Sequence, residues 1–151
     1  MKKYLFSLLG LLMVCLLSCD KNGPDARDAF VGTYVTNARL NYTVVAKDST
    51  TTGTLPFTGK VYITKSSDKN GVLLAGDIYG SGTVEGDVLQ IEAQHYRQVT
   101  TMGLLDVDLT FNPAQLVDKS LIITGKVAGS VTTLGQSSTF TADINAVATK
   151  Q

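Results

Sequence analysis

The chain has 151 residues, 44% of them hydrophobic and 17% charged, with 13 Lys and Arg balanced by 13 Asp and Glu. A chain of this size suits one core, and its balanced charge without a basic run excludes a protein built for nucleic acid. Two cysteines and one histidine are too few for a disulfide framework or for a thiolate and imidazole zinc site.

In chain order, Met1, Lys2 and Lys3 give a short positive start, and Leu5 to Leu17 follow as an almost unbroken apolar run of 13 residues. That run is shorter than the roughly 20 residues a helix needs to cross a hydrocarbon core, so residues 1–18 read as a signal peptide and not as a membrane span. The segment Leu16, Leu17, Ser18, Cys19 resembles the lipobox of bacterial lipoproteins. The resemblance implies cleavage before Cys19 and its acylation with palmitate or a similar chain. Two or three acyl chains anchor stably where one does not, since each buried CH2 contributes about 0.8 kcal/mol. The expected partner is therefore a membrane, contacted through the lipid, and Cys15 leaves with the leader. Removal of Lys2 and Lys3 leaves 11 basic and 13 acidic residues in a mature chain of 133.

Residues 19–29 then read as the lipidated cysteine and a short tether. Asp20, Lys21, Asn22, Gly23, Pro24, Asp25, Ala26, Arg27 and Asp28 carry charge, a Gly and a Pro but no apolar periodicity. From Phe30 to the end at Gln151 the chain reads as one β domain. Thr is its commonest residue, with 19 copies, and together with Val and Ile it favours pleated sheet over helix.

Eight strands are predicted: 31–46, 57–66, 72–79, 83–85, 87–101, 104–111, 120–129 and 137–147. Turn chemistry separates them at Asp68 to Gly71, at Gly86 and Asp87, and at Gly103. A polar loop is expected before Pro56, and one helical turn at Pro113 to Asp118, with Asn112 as its cap. Alternation is plainest where Val107, Leu109 and Phe111 share one face and Asp106, Asp108 and Thr110 the other. Phe140, Ala142, Ile144 and Ala146 repeat the pattern in the last strand. Successive hairpins of this kind form an antiparallel up-and-down meander. Eight such strands can close into a barrel, with a two-sheet β-sandwich as the alternative.

Phe30, Val31, Gly32, Thr33 and Tyr34, soon after a cysteine of this kind, resemble the opening of the small calycin-like lipoproteins of Bacteroidetes. The GlyThrTyr triplet is similar to the GlyXaaTrp opening of lipocalins, with Tyr34 in place of the tryptophan. The resemblance implies a calycin-like, lipocalin-like barrel, in some cases with an internal cavity, and places the protein in the cell envelope at the outer membrane.

An eight-stranded barrel is wide enough either to be filled by side chains or to hold one small ligand. Unbroken alternation from Leu89, Ile91 and Ala93 carries His95 and Arg97 inward. There they would orient a polar ligand group, with Tyr34 and Tyr42 as the apolar wall. A bulge near Gln94 would instead turn Tyr96 inward and leave His95 and Arg97 in solvent. No enzyme is expected. His95 is the only histidine, and parity sends both Asp106 and Asp108 to the solvent face, away from any loop that would complete a calcium site. No cofactor or metal is implied. Gly76, Gly80, Gly82 and Gly86 precede no helix and so lack phosphate-cradling geometry. Asp48, Ser49 and Thr50 are similar to the acceptor of the Bacteroidetes O-glycosylation system, which would make Ser49 a modification site. Two functions remain: binding of a small ligand in a cavity, or a structural or protein-interaction role with a filled barrel and an exposed apolar patch.

Overall fold

A computed structural model describes residues 23–101 and 103–151; residues 1–18, expected as a signal peptide, and Cys19 lie outside the described residues. The described chain is almost entirely β. Apart from one 3-10 turn at Ala26–Ala29 it consists of ten strands: β1 Gly32–Ala46, β2 Ser49–Lys65, β3 Gly71–Gly76, β4 Gly80–Glu85, β5 Val88–Ile91, β6 Gln94–Thr100, β7 Gly103–Phe111, β8 Ala114–Val117, β9 Ser120–Thr133 and β10 Gln136–Lys150. All pairings are antiparallel and belong to one sheet in the order β10, β1, β2, β3, β4, β5, β8, β9, β7, β6. A further pairing of β10 with β9 closes eight of these strands into a ring. One continuous sheet meeting itself is barrel-like, and it is not the pair of stacked sheets that a sandwich requires.

The differences from the expected strands have local causes. The span 87–101 is broken at Glu92 and Ala93 into β5 and β6. Leu89 and Ile91 are buried before the break and Tyr96 is half-buried after it, so the inward parity changes from odd to even. Segment 49–56 is strand and not loop. A two-residue turn, Lys47 and Asp48, sets Ala46 opposite Ser49, and β2 pairs with β1 through Pro56. Proline is tolerated there because β2 pairs on one side only at that point, so its missing N–H removes no ladder bond. Pro113 to Asp118 is not a helical turn. Ala114 is fully buried, Leu116 packs on the core, and β8 joins β5 to β9, an alternating role that a helix would not fill. Asn112 does not cap. Its backbone N–H donates to Thr124 O at 2.9 Å and its side chain to Thr124 Oγ1 at 2.9 Å, which fixes the bend between β7 and β8 onto β9.

The residues expected to be a tether include a docked part. Asp25 caps the 3-10 turn by accepting from Arg27 N at 3.0 Å. The Arg27 guanidinium donates to Asp68 O at 2.6 Å and reaches the carbonyls of Ser66 and Gly71 at 3.3 Å. Lys65 bridges Asp25 and Asp28 at 2.9 and 2.6 Å. The turn thereby lies against the β2–β3 connection, and Phe30, fully buried, follows it into the interior.

The interior divides along the strands. At the end where β1 begins, Phe30, Tyr34, Val61, Ile63, Val72, Leu89, Leu121 and Ile123 are almost wholly buried. Burying each large apolar side chain in this cluster contributes about 2 kcal/mol. Toward the other end a smaller cluster of Val107, Val127, Ala142 and Ile144 is surrounded by residues that are only partly buried.

Candidate functional site

The partly buried end owes its shape to where strand pairing stops. β3 pairs with β2 from Val61 to Lys65 only. Asp77, just past β3, donates its N–H to Lys60 O at 3.0 Å and accepts the Lys60 N–H on its carboxylate, which ends the ladder. Gly59 makes room for that carboxylate, since a Cβ there would overlap Asp77 Oδ2. From Gly59 back to Ser49, β2 pairs with β1 alone, and β6 pairs with β7 alone. The sheet at this end thus runs β2, β1, β10, β9, β7, β6 and finishes in two unpaired edges.

Its concave face is a cleft of about 340 Å³. β7 supplies Leu105, Val107, Leu109 and Phe111, β9 supplies Val127, and β10 supplies Phe140, Ile144 and Ala146. Leu40 and Phe57 line it from β1 and β2, and Ile78 and Tyr79 from the β3–β4 connection. Apolar walls with few polar groups are the usual chemistry of a small-molecule site. Two glycines on β9 let β7 lie close beside it. Gly125 and Gly129 face inward on either side of Val127, and a Cβ on them would lie 2.4 Å from Thr110 O and 2.1 Å from Asp106 O. Only glycine lets the β7 backbone approach so closely.

Polar groups in the cleft are few. Among the described residues Asp77 is the only charged one in its lining, and Gln94, Tyr79 and Tyr96 are the other residues with a polar group. Gln94 Nε2 is buried and, among the described residues, has no hydrogen-bond partner. It packs over Gly80, where a Cβ would come within 2.7 Å of it. The phase change at Glu92 and Ala93 is what turns Gln94 and Tyr96 inward.

The four residues expected to bind ligand separate. Tyr34 is fully buried at the closed end, its hydroxyl donating to Phe30 O at 2.7 Å, and burial raises its pKa above the ordinary tyrosine range. It is core and has no access to the cleft. Tyr42 lies on the inward face, stacked on Phe140 with ring centroids 6.4 Å apart and its ring covering Gly53 on β2. It supports the cleft wall through Phe140. His95 and Arg97 project from the opposite face of the sheet, which corrects the inward placement that unbroken alternation gives them and agrees with the alternative of a bulge near Gln94. His95 Nδ1 lies 2.9 Å from Asp108 and its Nε2 3.3 Å from Asp106, while Arg97 Nε lies 3.5 Å from Asp106. Cross-strand register, His95 opposite Asp108 and Arg97 opposite Asp106, explains these pairs without a ligand. Ser49 is exposed at the tip of the β1–β2 hairpin, and Cys19 lies outside the described residues. Gln94 was missed as a site residue because the unbroken period made it an outward position, and Glu92, outward in that period, gave no sign of the break.

A larger depression of about 540 Å³ crosses the outer face of β2, β1, β10 and β9, bounded by Asn37, Arg39, Thr58, Thr124 and Asn145. It is shallow and holds no buried polar atom without a partner.

No family model matches the chain, and no curated protein does. Among solved structures, the crystal structure of the ywiB protein from Bacillus subtilis is similar over 79% of this chain and 93% of that chain, at 10% identity and a TM-score of 0.31.

Proposed function

We propose that the protein is a lipoprotein of the bacterial cell envelope, held at the outer membrane through Cys19, whose calycin-like eight-stranded barrel binds one small apolar ligand. The observation that carries this reading is the cleft of about 340 Å³, walled almost entirely by apolar side chains. Counting β5 with β6 and β7 with β8 as bent single strands supports the eight-stranded barrel, because each pair follows one path through the sheet. The anchor follows from the first nineteen residues, and the docked turn at Ala26–Ala29 would set the closed end nearest the membrane, with the cleft facing away from it. In this reading the protein performs no catalysis and its partners are the membrane and the ligand.

Native mass spectrometry of the protein, purified gently from its own host with metabolites present, tests the proposal. A discrete adduct that survives buffer exchange is expected; a clean polypeptide mass after exposure to the host's small molecules contradicts it.

A second reading, a protein-interaction role, is favoured by the unpaired edges of β2 and β6 and by Leu55 and Val99 on them, which are 55% and 78% exposed. An unprotected strand edge can pair with an extended segment of another chain. Backbone amides of residues 49–59 that exchange no more slowly when host envelope proteins are added would remove this reading.

A further inference from the structure

The outer wall of the closed end carries apolar side chains that point away from the core. Leu73, Tyr62, Val147, Ile122 and Val117, on β3, β2, β10, β9 and β8, are between 43% and 49% exposed, and Val35 on β1 stands half-buried among them. Register makes them neighbours. Val147 is opposite Ile122, and the steps from Leu73 to Tyr62, Val35 and Val147, and from Ile122 to Val117, are ladder diagonals of about 7–8 Å. Each of the six lies within three residues of the closed-end limit of its strand, so the belt runs within about 10 Å of the turns there. The rest of this wall differs: the other outward positions of β9 and β10 are Ser, Thr, Ala, Lys, Asn and Asp. On β4, which stands across the ring from β10, the outward Ser81, Thr83 and Glu85 break the belt.

The length of chain leading to the anchor says what meets this belt. Gly23 and Pro24 lie beside Lys69 and Asn70 of the β2–β3 connection, and Arg27 fixes the residues that follow to the same connection. From Cys19 to Gly23 the chain advances four residues, at most about 14 Å. An acylated Cys19 therefore keeps the belt's end of the protein at the bilayer, where exposed apolar side chains and a tyrosine are suited to the boundary of headgroups and acyl chains. Accepting the lipid anchor proposed above, we infer that the closed end rests on the lipid surface along this belt, leaning with β10 toward the bilayer and β4 away from it. A belt wound on a curved wall fits a surface that deforms to it, as lipid does.

The test uses the full chain, expressed with its leader and reconstituted in phosphatidylcholine vesicles that carry a nitroxide-labelled lipid. With Cys15 removed and Cys19 acylated, one introduced cysteine is the only thiol to label. A fluorophore at Ile122→Cys or Val147→Cys is compared with one at Thr83→Cys, on β4, and one at Val45→Cys, on the outer face of the open end. The belt labels are expected to be quenched by the nitroxide about threefold more than either control and shielded from aqueous iodide, because a surface-bound apolar face sits about 5–10 Å into the boundary. No excess over either control, in a protein that floats with the vesicles, overturns the inference and leaves the anchor standing. Belt labels shielded from iodide and nitroxide alike would show protein covering that face and overturn it equally. An intact mass without acyl groups, together with failure to float, would overturn the anchor reading and the inference with it.

Discussion

The two ends of the sheet use the same strands differently. Along β1, Tyr34, Thr36 and Ala38 are buried, whereas Leu40 and Tyr42, next on the same face, are only half covered. The partner strands account for the change. Near Tyr34, β2 is flanked by β3 and the interior receives Phe30, Val61 and Ile63; beyond Gly59, β2 has a free edge and, among the described residues, no strand crosses the space between it and β6. An alternating apolar face is thus necessary for a core but does not make one. What fills it is decided by how far the neighbouring ladders run.

The strongest way to sharpen that contrast is to delete side chains of similar size at each end. Ile123→Ala, in the closed core, is expected to cost about 3 kcal/mol, and Leu105→Ala, on the cleft wall, about 1 kcal/mol, because the wall residue is already partly hydrated. Urea unfolding with an unchanged m value would measure both. Equal costs would mean that the open end is packed like the closed one.

Next in size is Gly129→Ala. Its Cβ would lie 2.1 Å from Asp106 O and 2.6 Å from the Val107 Cα, and backbone yields less easily than side chain. A loss of about 2 kcal/mol is expected, with faster amide exchange in β6 and β7 and little change in β3 and β4.

Much of this architecture was legible beforehand. Phe140 to Ala146 and Val107 to Phe111 show their inward faces by alternation, because a strand wet on one side must alternate. Hidden from such reasoning were β8, where Asn112 and Pro113 carry helix-start chemistry that burial of Ala114 overrides, and the β2 segment before Pro56, where Thr-rich strand reads as loop. The site was less legible still. His95, Arg97 and Gln94 exchange faces at a two-residue break, and one slipped position inverts every assignment after it.

A smaller effect comes from Thr36, whose Oγ1 is buried in the closed core with no partner among the described residues. Thr36→Val keeps the shape and removes the unmet hydroxyl, so a gain of about 1 kcal/mol is expected in urea unfolding. A loss instead would show that the hydroxyl has a bound partner, which the closed end is not expected to hold.

The smallest effect is local and concerns the docked turn. The hydrogen bonds from Arg27, then from Lys65, hold the Asp25 carboxyl below its ordinary value of 3.8. A depressed folded value stabilises docking above the ordinary range and loses that contribution as pH falls through it. Lys65 is shifted upward by Asp28 and then Asp25, so its contribution persists until pH rises through a value above 10.5. Docking is therefore expected to hold across neutral pH and to loosen below about pH 4, seen as faster amide exchange from Asp28 to Val31 with the cleft strands unaffected.

The most direct test asks whether the open end is hollow. Leu109 is half-buried on the cleft wall, so Leu109→Trp places added volume into the empty space with little strain on the closed core. Titration with N-phenylnaphthylamine, an uncharged probe that fluoresces in apolar surroundings, is expected to saturate at one site on the wild-type chain. On the filled variant the signal should vanish while thermal stability is kept. Equal binding by both proteins would place the probe elsewhere, and no binding by either would contradict the cleft as a ligand site.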